Sequence, residues 1–310
     1  MPAIITHHLF GEEAAGAIPE GIVGGEEELL AFLLGNQGPD PYFSRFRDLP
    51  QACDVCHQLA HRMHAEDPYP TLAALREGVS HLREDDKGVG RAFALGFLGH
   101  YVLDSYTHPF VYAQEDALIA ANPELRDAHS ETHAVIESDI DSWMLWSTRH
   151  TTVVEQPAVN ALAATPRIGL VAGALLSQVA YQGFGLQVSP EQYEGAVADY
   201  RFLYRHLDPA EERRPLATLV VGAERLFRDH SQIRAMAHFA QVDEECPTLN
   251  LDRHHWADPS TGEISHESFP DLFYEALEVW RRSAEAVVRG DFATLREATG
   301  NRNFNGVALG

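Results

Sequence analysis

The segment GFLGHYVLDSYTHPF, residues 96–110, sets His100, Asp104 and His108 four residues apart within an apolar run. At about 3.6 residues per turn, positions i, i+4 and i+8 share one helix face, so two imidazoles and a carboxylate point the same way. A second run, HAVIESDID, repeats the interval with His133, Glu137 and Asp141. Imidazole nitrogen and carboxylate oxygen are donors that a zinc ion takes at about 2 Å, and two of them one turn apart chelate one ion with little backbone distortion. Eight residues of helix rise about 12 Å, too far for both ends to reach the same ion. Asp104 can thus lean toward an ion held by His100, while His108 serves a second. A lone His–carboxylate pair at this spacing is more often a surface hydrogen bond. Two such runs among apolar neighbours favour metal, because an ion offsets the desolvation of several buried carboxylates.

Further donors lie upstream: His7 and His8 in THHLFGEE, Asp40 in the turn GNQGPDPYF, and His57, His61 and His64 in HQLAHRMHAED. Each alone is more often an exposed polar residue than a ligand. Asp40 stands out because a loop on a rigid scaffold can aim a carboxylate at a site. Asp141 reads as a carboxylate that orients a ligand histidine rather than one that binds metal. His254 and His255 sit in a long loop and read as solvated.

These donors must be positioned by helices, since helical periodicity dominates the chain. The pattern predicts helices over roughly 25–35, 50–66, 71–83, 89–108, 129–148, 167–181, 190–207, 211–239, 268–289 and 291–299, with no convincing pair of alternating strands. Breakers separate them at 35–41, 66–70, 121–127 and 245–265. The last ends in Ser268, with Pro270 and Asp271 following, the signature of a helix start. The expected architecture is all-α, one multi-helix domain over 1–310 with a metal cluster in a cleft between helices. Its metal-site residues fall mainly in 1–150, and 151–310 forms a packing half.

Composition narrows the partners. The 310 residues carry 23 Lys plus Arg against 46 Asp plus Glu, a formal net charge of −23, which disfavours nucleic acid. The first residues show neither a basic nor an apolar signal region, and no apolar stretch reaches the roughly 20 residues of a membrane span, so a cytoplasmic chain is expected. Three cysteines suit a reducing compartment. CDVCH, residues 53–57, matches the attachment signature of c-type haem, but that attachment needs export. The surrounding LPQACDVCHQLAHRMH reads instead as an amphipathic helix with buried thiols.

The ordered segments THHLFG, GPDPYF, RMH, GFLGHYVLDSYTHPF and THAVIESDID resemble the zinc-dependent phospholipase C family, all-helical enzymes related to the single-strand-specific zinc nucleases. The later NLDRHHWADPSTGE and SFPDLFYEAL resemble uncharacterised bacterial members. The resemblance implies three zinc ions in a cleft that cleave a phosphodiester. His64, His100 and Asp104 would hold one, with Asp40 beside them as ligand or base. His108, His133 and Glu137 would hold a second. His7 would join Asp104 at a third position, which exported members complete with the amino and carbonyl groups of the mature N-terminal residue. His7 lies six residues after Met1 with no signal peptide before it, so that third ion is expected to be absent, weak or differently completed. His8 in place of His7 and His129 in place of His133 stay open, although His133 alone has a carboxylate four residues on.

The expectation is a zinc-dependent phosphoester hydrolase with two or three ions, acting on a small phosphoester or phospholipid head group through metal-activated water. Asp40 and Asp104 would be its catalytic carboxylates. The chain contains no G-x-S-x-G elbow, P-loop or dinucleotide glycine pattern that would supply another chemistry. A non-catalytic metal-binding scaffold or sensor is the alternative.

Overall fold

A computed structural model describes residues 4–212, 214–224 and 230–310. Twelve α-helices run through the described residues: α1 (Ile4–Ala15), α2 (Glu26–Gly35), α3 (Pro50–Ala65), α4 (Pro68–His81), α5 (Lys87–Ala121), α6 (His129–Arg149), α7 (Pro166–Phe184), α8 (Pro190–Leu207), α9 (Pro215–Glu224), α10 (Gln232–Ala235), α11 (Phe269–Arg289) and α12 (Phe292–Ala298). The fold is all-α, and no described helix is long and apolar enough to cross a membrane.

Local chemistry accounts for many of the boundaries. Proline occupies the first turn of α3, α4, α7 and α8, where its missing N–H is not needed. Asp67 caps α4 by accepting from Tyr69 N at 2.9 Å, so EDPYP opens a helix instead of breaking one. Ser268 and Asp271 form the reciprocal capping box of α11.

The 35-residue α5 is the central strut, packed against α2, α4, α6 and α11. Its contact with α2 is backbone-close, because a Cβ at Gly96 would lie 2.0 Å from the carbonyl oxygen of Phe32. The aromatic core joins both halves of the sequence, with Phe32 packed edge-on against the fully buried Trp280 of α11.

Four sequence expectations need correction. Helix α1 is not among the expected helices; its buried side carries the polar Thr6 and His7 beside Ile4, Ile5, Leu9, Phe10 and Ala14, so the narrow exposed edge of His8, Glu12 and Glu13 does not stand out in the sequence. Helix α5 does not stop before Pro109 but continues to Ala121, held by the burial of Phe110, Val111 and Glu115. The expected helix over 211–239 is broken into α9 and α10, and residues 213 and 225–229 of that range lie outside the described residues. Ser231 caps α10 through Arg234 N. The loop 245–265 also contains a two-residue antiparallel pair, β1 (Trp256–Ala257) with β2 (Ile264–Ser265).

Cys53 and Cys56 are buried free thiols on α3, and burial pushes the Cys56 thiol up to about 12.

Candidate metal centre

Helices α1, α3, α5 and α6 and the short 3-10 turn Asp40–Ser44 bring the predicted donors together. Three sets arise, each with ligand atoms within 4.8 Å of one another: Asp40, His64 and His100; His7, His100 and Asp104; and His108, His133 and Glu137. His100 belongs to two sets. Asp104 is grouped with His7 and His100, and its Oδ2 also lies 3.5 Å from His64 Nε2.

Distances within the first two sets are short. His64 Nε2 lies 3.2 Å from Asp40 Oδ1 and 3.5 Å from Asp104 Oδ2. His100 Nε2 lies 3.1 Å from Asp104 Oδ2 and 3.7 Å from Asp40 Oδ1. The other oxygen of Asp104 faces His7 Nε2 at 3.1 Å, and the rings of His7 and His100 stack at 4.2 Å. In the third set, Glu137 Oε1 lies 3.2 Å from His133 Nε2 and 3.8 Å from His108 Nε2. The i, i+4 spacings of α5 and α6 produce these pairings as the sequence predicts.

The histidines are fixed from behind. Nδ1 of His64 bonds Ala60 O at 2.8 Å, Nδ1 of His100 bonds Asn36 O at 3.2 Å, Nδ1 of His108 bonds Phe304 O at 2.8 Å, and Nδ1 of His133 bonds Glu115 Oε2 at 3.1 Å. Each Nδ1 must donate to its oxygen, so in the neutral ring Nε2 carries the lone pair aimed at the site. Gly38 makes room for this arrangement: its φ is +52°, and a Cβ there would lie 2.2 Å from His100 Cδ2.

The donor set fits a cation. Asp40 Oδ1, Asp104 Oδ2 and His100 Nε2 are buried and none has a hydrogen-bond partner, although they face one another. Among the described residues every ion-pair partner of Asp40 and Asp104 is a histidine. Burial alone would raise both carboxyls, but His100 and its neighbours hold each below the usual carboxylate range, so both are ionised. Burial pushes His100 down and keeps it neutral, as a ligand must be. Burial alone would lower His7, His64 and His133 as well, but the carboxylates beside them raise all three, so those rings give up a proton to a bound ion. Buried carboxylates converging on imidazoles, with no lysine or arginine paired to them among the described residues, suit a divalent ion.

Space at the site is small. The cavity bordered by His7, Asp104, His108 and Glu137 holds about 10 Å³, the volume of one water-sized sphere. His133, 12 % exposed, is the most accessible of the eight donors.

The remaining candidates separate cleanly. His8 turns toward Glu12 at 3.5 Å and His129 is 59 % exposed, so neither belongs to a donor set. His57 bonds Arg45 O, and His61 packs edge-on to Phe43. His254 and His255 are exposed. Asp141 does not orient a ligand histidine; its oxygens accept from Ile5 N at 2.9 Å and Thr6 N at 2.7 Å, and from His238 Nε2 at 3.1 Å. It thereby fixes the first turn of α1, which carries His7.

Sequence reasoning missed Asn36, Glu115, Phe304 and His238 as supports. Only Glu115 carried a signal, lying seven residues after His108 and so on the same face of α5. The others act through backbone carbonyls or arrive from distant segments.

Residues 6–165 match a family model described as zinc dependent phospholipase C, a span that includes all eight donors. No curated protein and no solved structure matches the chain.

Proposed function

The chain belongs to the zinc-dependent phospholipase C family, and on that premise we propose that it is a zinc-dependent phosphodiester hydrolase holding two or three zinc ions. Asp40, His64 and His100 form one holding set, His108, His133 and Glu137 another, and His7 with Asp104 and His100 a third. The observation that carries this reading is the convergence of Asp40 Oδ1, Asp104 Oδ2 and His100 Nε2, buried atoms that lack hydrogen-bond partners, within a cluster of imidazoles and carboxylates.

When bound, zinc lowers the pKa of water toward neutrality and takes up charge on phosphoryl oxygens. The residues supply the rest. Asp40 Oδ1, free of hydrogen bonds, is the atom that accepts or orients the proton of an attacking water. Asp104 sits between donors, with Oδ1 toward His7 and Oδ2 toward His100 and, at 3.5 Å, His64 of the neighbouring set, and keeps their spacing fixed. The rear hydrogen bonds of His64, His100, His108 and His133 hold Nε2 in place without reorganisation during reaction.

A small phosphoester or a phospholipid head group is the favoured substrate, since a net charge of −23 repels nucleic acid outside the site. We read residues 1–310 as one domain, supported by the packing of α11 on α5 and α1. The second reading, a metal-binding scaffold or sensor without turnover, is favoured by the roughly 10 Å³ cavity, which admits no phosphodiester. A panel of phosphodiester and phosphomonoester substrates on protein of known zinc content separates the two. Chelator-sensitive hydrolysis supports the enzyme, and stoichiometric zinc with no turnover supports the scaffold.

A further inference from the structure

Away from the donors, a cavity of about 440 Å³ opens between α8, the start of α7 and the segment around Arg47. Helix α8 lines it with Glu194, Val197, Arg201, Phe202 and Arg205, positions 0, 3, 7, 8 and 11 of one helical face. Among them Phe202 stacks beneath the Arg47 guanidinium, 4.6 Å from ring centre to Cζ.

The charges in this cavity are not balanced. Arg45 and Arg47 are met by Asp48 and Asp199, with Asp199 bonding both guanidinia. That set is neutral. Arg201 and Arg205 form no ion pair and no side-chain hydrogen bond among the described residues, and Glu194 is the only carboxylate on the wall. Two guanidinia one helical turn apart repel each other. In a chain with twice as many acidic as basic residues, leaving such a pair unmatched beside a cavity is the notable feature. The first turn of α7, with Thr165, Pro166 and Gly169 on the rim, adds the positive end of a helix to the same wall.

We propose that this cavity binds a small organic oxyanion, with Arg201 and Arg205 as its charge partners and Leu34, Val197 and Phe202 as the apolar wall for its body. Guanidinium forks match phosphate and carboxylate alike, and the cavity volume is that of a small-molecule site. The proposal does not depend on zinc chemistry, because none of the eight donors lines the cavity.

The test follows the arginine side-chain Nε–Hε signals of zinc-loaded protein by ¹⁵N NMR, with Arg201 and Arg205 assigned from the single variants Arg201→Gln and Arg205→Gln. Phenyl phosphate forms one arm and benzoate the other, each against sodium chloride at matched ionic strength. Glutamine keeps the helix propensity of these exposed or half-exposed sites, so folding is retained. The expected result is a saturable shift of both signals in at least one arm, with affinity falling tenfold or more in each variant and zinc content unchanged. The arm that saturates identifies phosphate or carboxylate as the ligand group. Shifts that merely track sodium chloride, or binding of undiminished affinity read from the remaining arginine signal in either single variant, overturn the proposal.

Discussion

His133 and Glu115 are joined between α6 and α5, with Nδ1 3.1 Å from Oε2, while the opposite nitrogen of the same ring lies 3.2 Å from Glu137. Glu115 holds His129 through its other oxygen at 2.7 Å. The histidine that competes with His133 in the sequence thus shares its supporting carboxylate. Glu115→Gln removes the charge that fixes the His133 tautomer. Zinc affinity of the His108–His133–Glu137 set is expected to fall about 10- to 100-fold. Competition with a calibrated chelator measures it; an unchanged dissociation constant would contradict the role.

Asp141 connects α1 to His238. Its loss strands two backbone N–H groups and a fully buried imidazole that also pairs with Asp208 at 2.9 Å. Asp141→Ala is expected to destabilise the fold by about 3–5 kcal/mol, the range for breaking a buried pair from one side. Urea unfolding of the zinc-loaded protein reads this directly, and a loss under about 1 kcal/mol would show that α1 is held by other contacts.

His238 also sets a pH dependence. Burial alone would lower its pKa, but Asp208 and Asp141 on its two nitrogens raise it to about 10 from an ordinary 6.5. The folded protein therefore keeps a proton that the unfolded chain releases near 6.5. The stabilisation is complete below that pH and is lost as pH climbs toward about 10, with a slope of up to about 1.4 kcal/mol per unit. His238→Gln should flatten this slope in unfolding curves taken between pH 7 and 10. A variant with the wild-type slope would place the titration elsewhere.

The positions of the donors were legible because helix geometry converts an interval of four into a shared face. His100–Asp104 and His133–Glu137 meet as their spacing requires. The start of α11 was legible for the same local reason, since a capping box needs only neighbouring residues. The missed parts depend on tertiary contact. Helix α1 is buried on most sides and carries Thr6 and His7 on its buried face, which blurs the amphipathic stripe. The carbonyls of Asn36 and Phe304 carry no side-chain signature, and the Phe304–His108 contact spans 196 residues. Pro109 marked an end to α5 by local rules, yet burial of the following turns outweighs its missing hydrogen bond.

Asp40 separates turnover from metal holding. It belongs to one donor set only, so Asp40→Asn retains a side-chain oxygen for the ion but loses proton-accepting capacity. The expected outcome is a kcat on bis(p-nitrophenyl) phosphate lower by about 10²- to 10⁴-fold with most of the zinc retained. Full activity in this variant would remove Asp40 from the reaction.

The most direct measurement is elemental analysis of purified protein beside its Asp104→Ala variant, paired with phosphodiester hydrolysis before and after exhaustive chelation. Asp104 touches His7, His64, His100 and His108, so its removal strikes the middle of the cluster. Two or three zinc ions per chain, a lower content in the variant, and hydrolysis that disappears on chelation and returns with zinc are predicted. Protein without stoichiometric metal, or with full activity after chelation, would contradict the account.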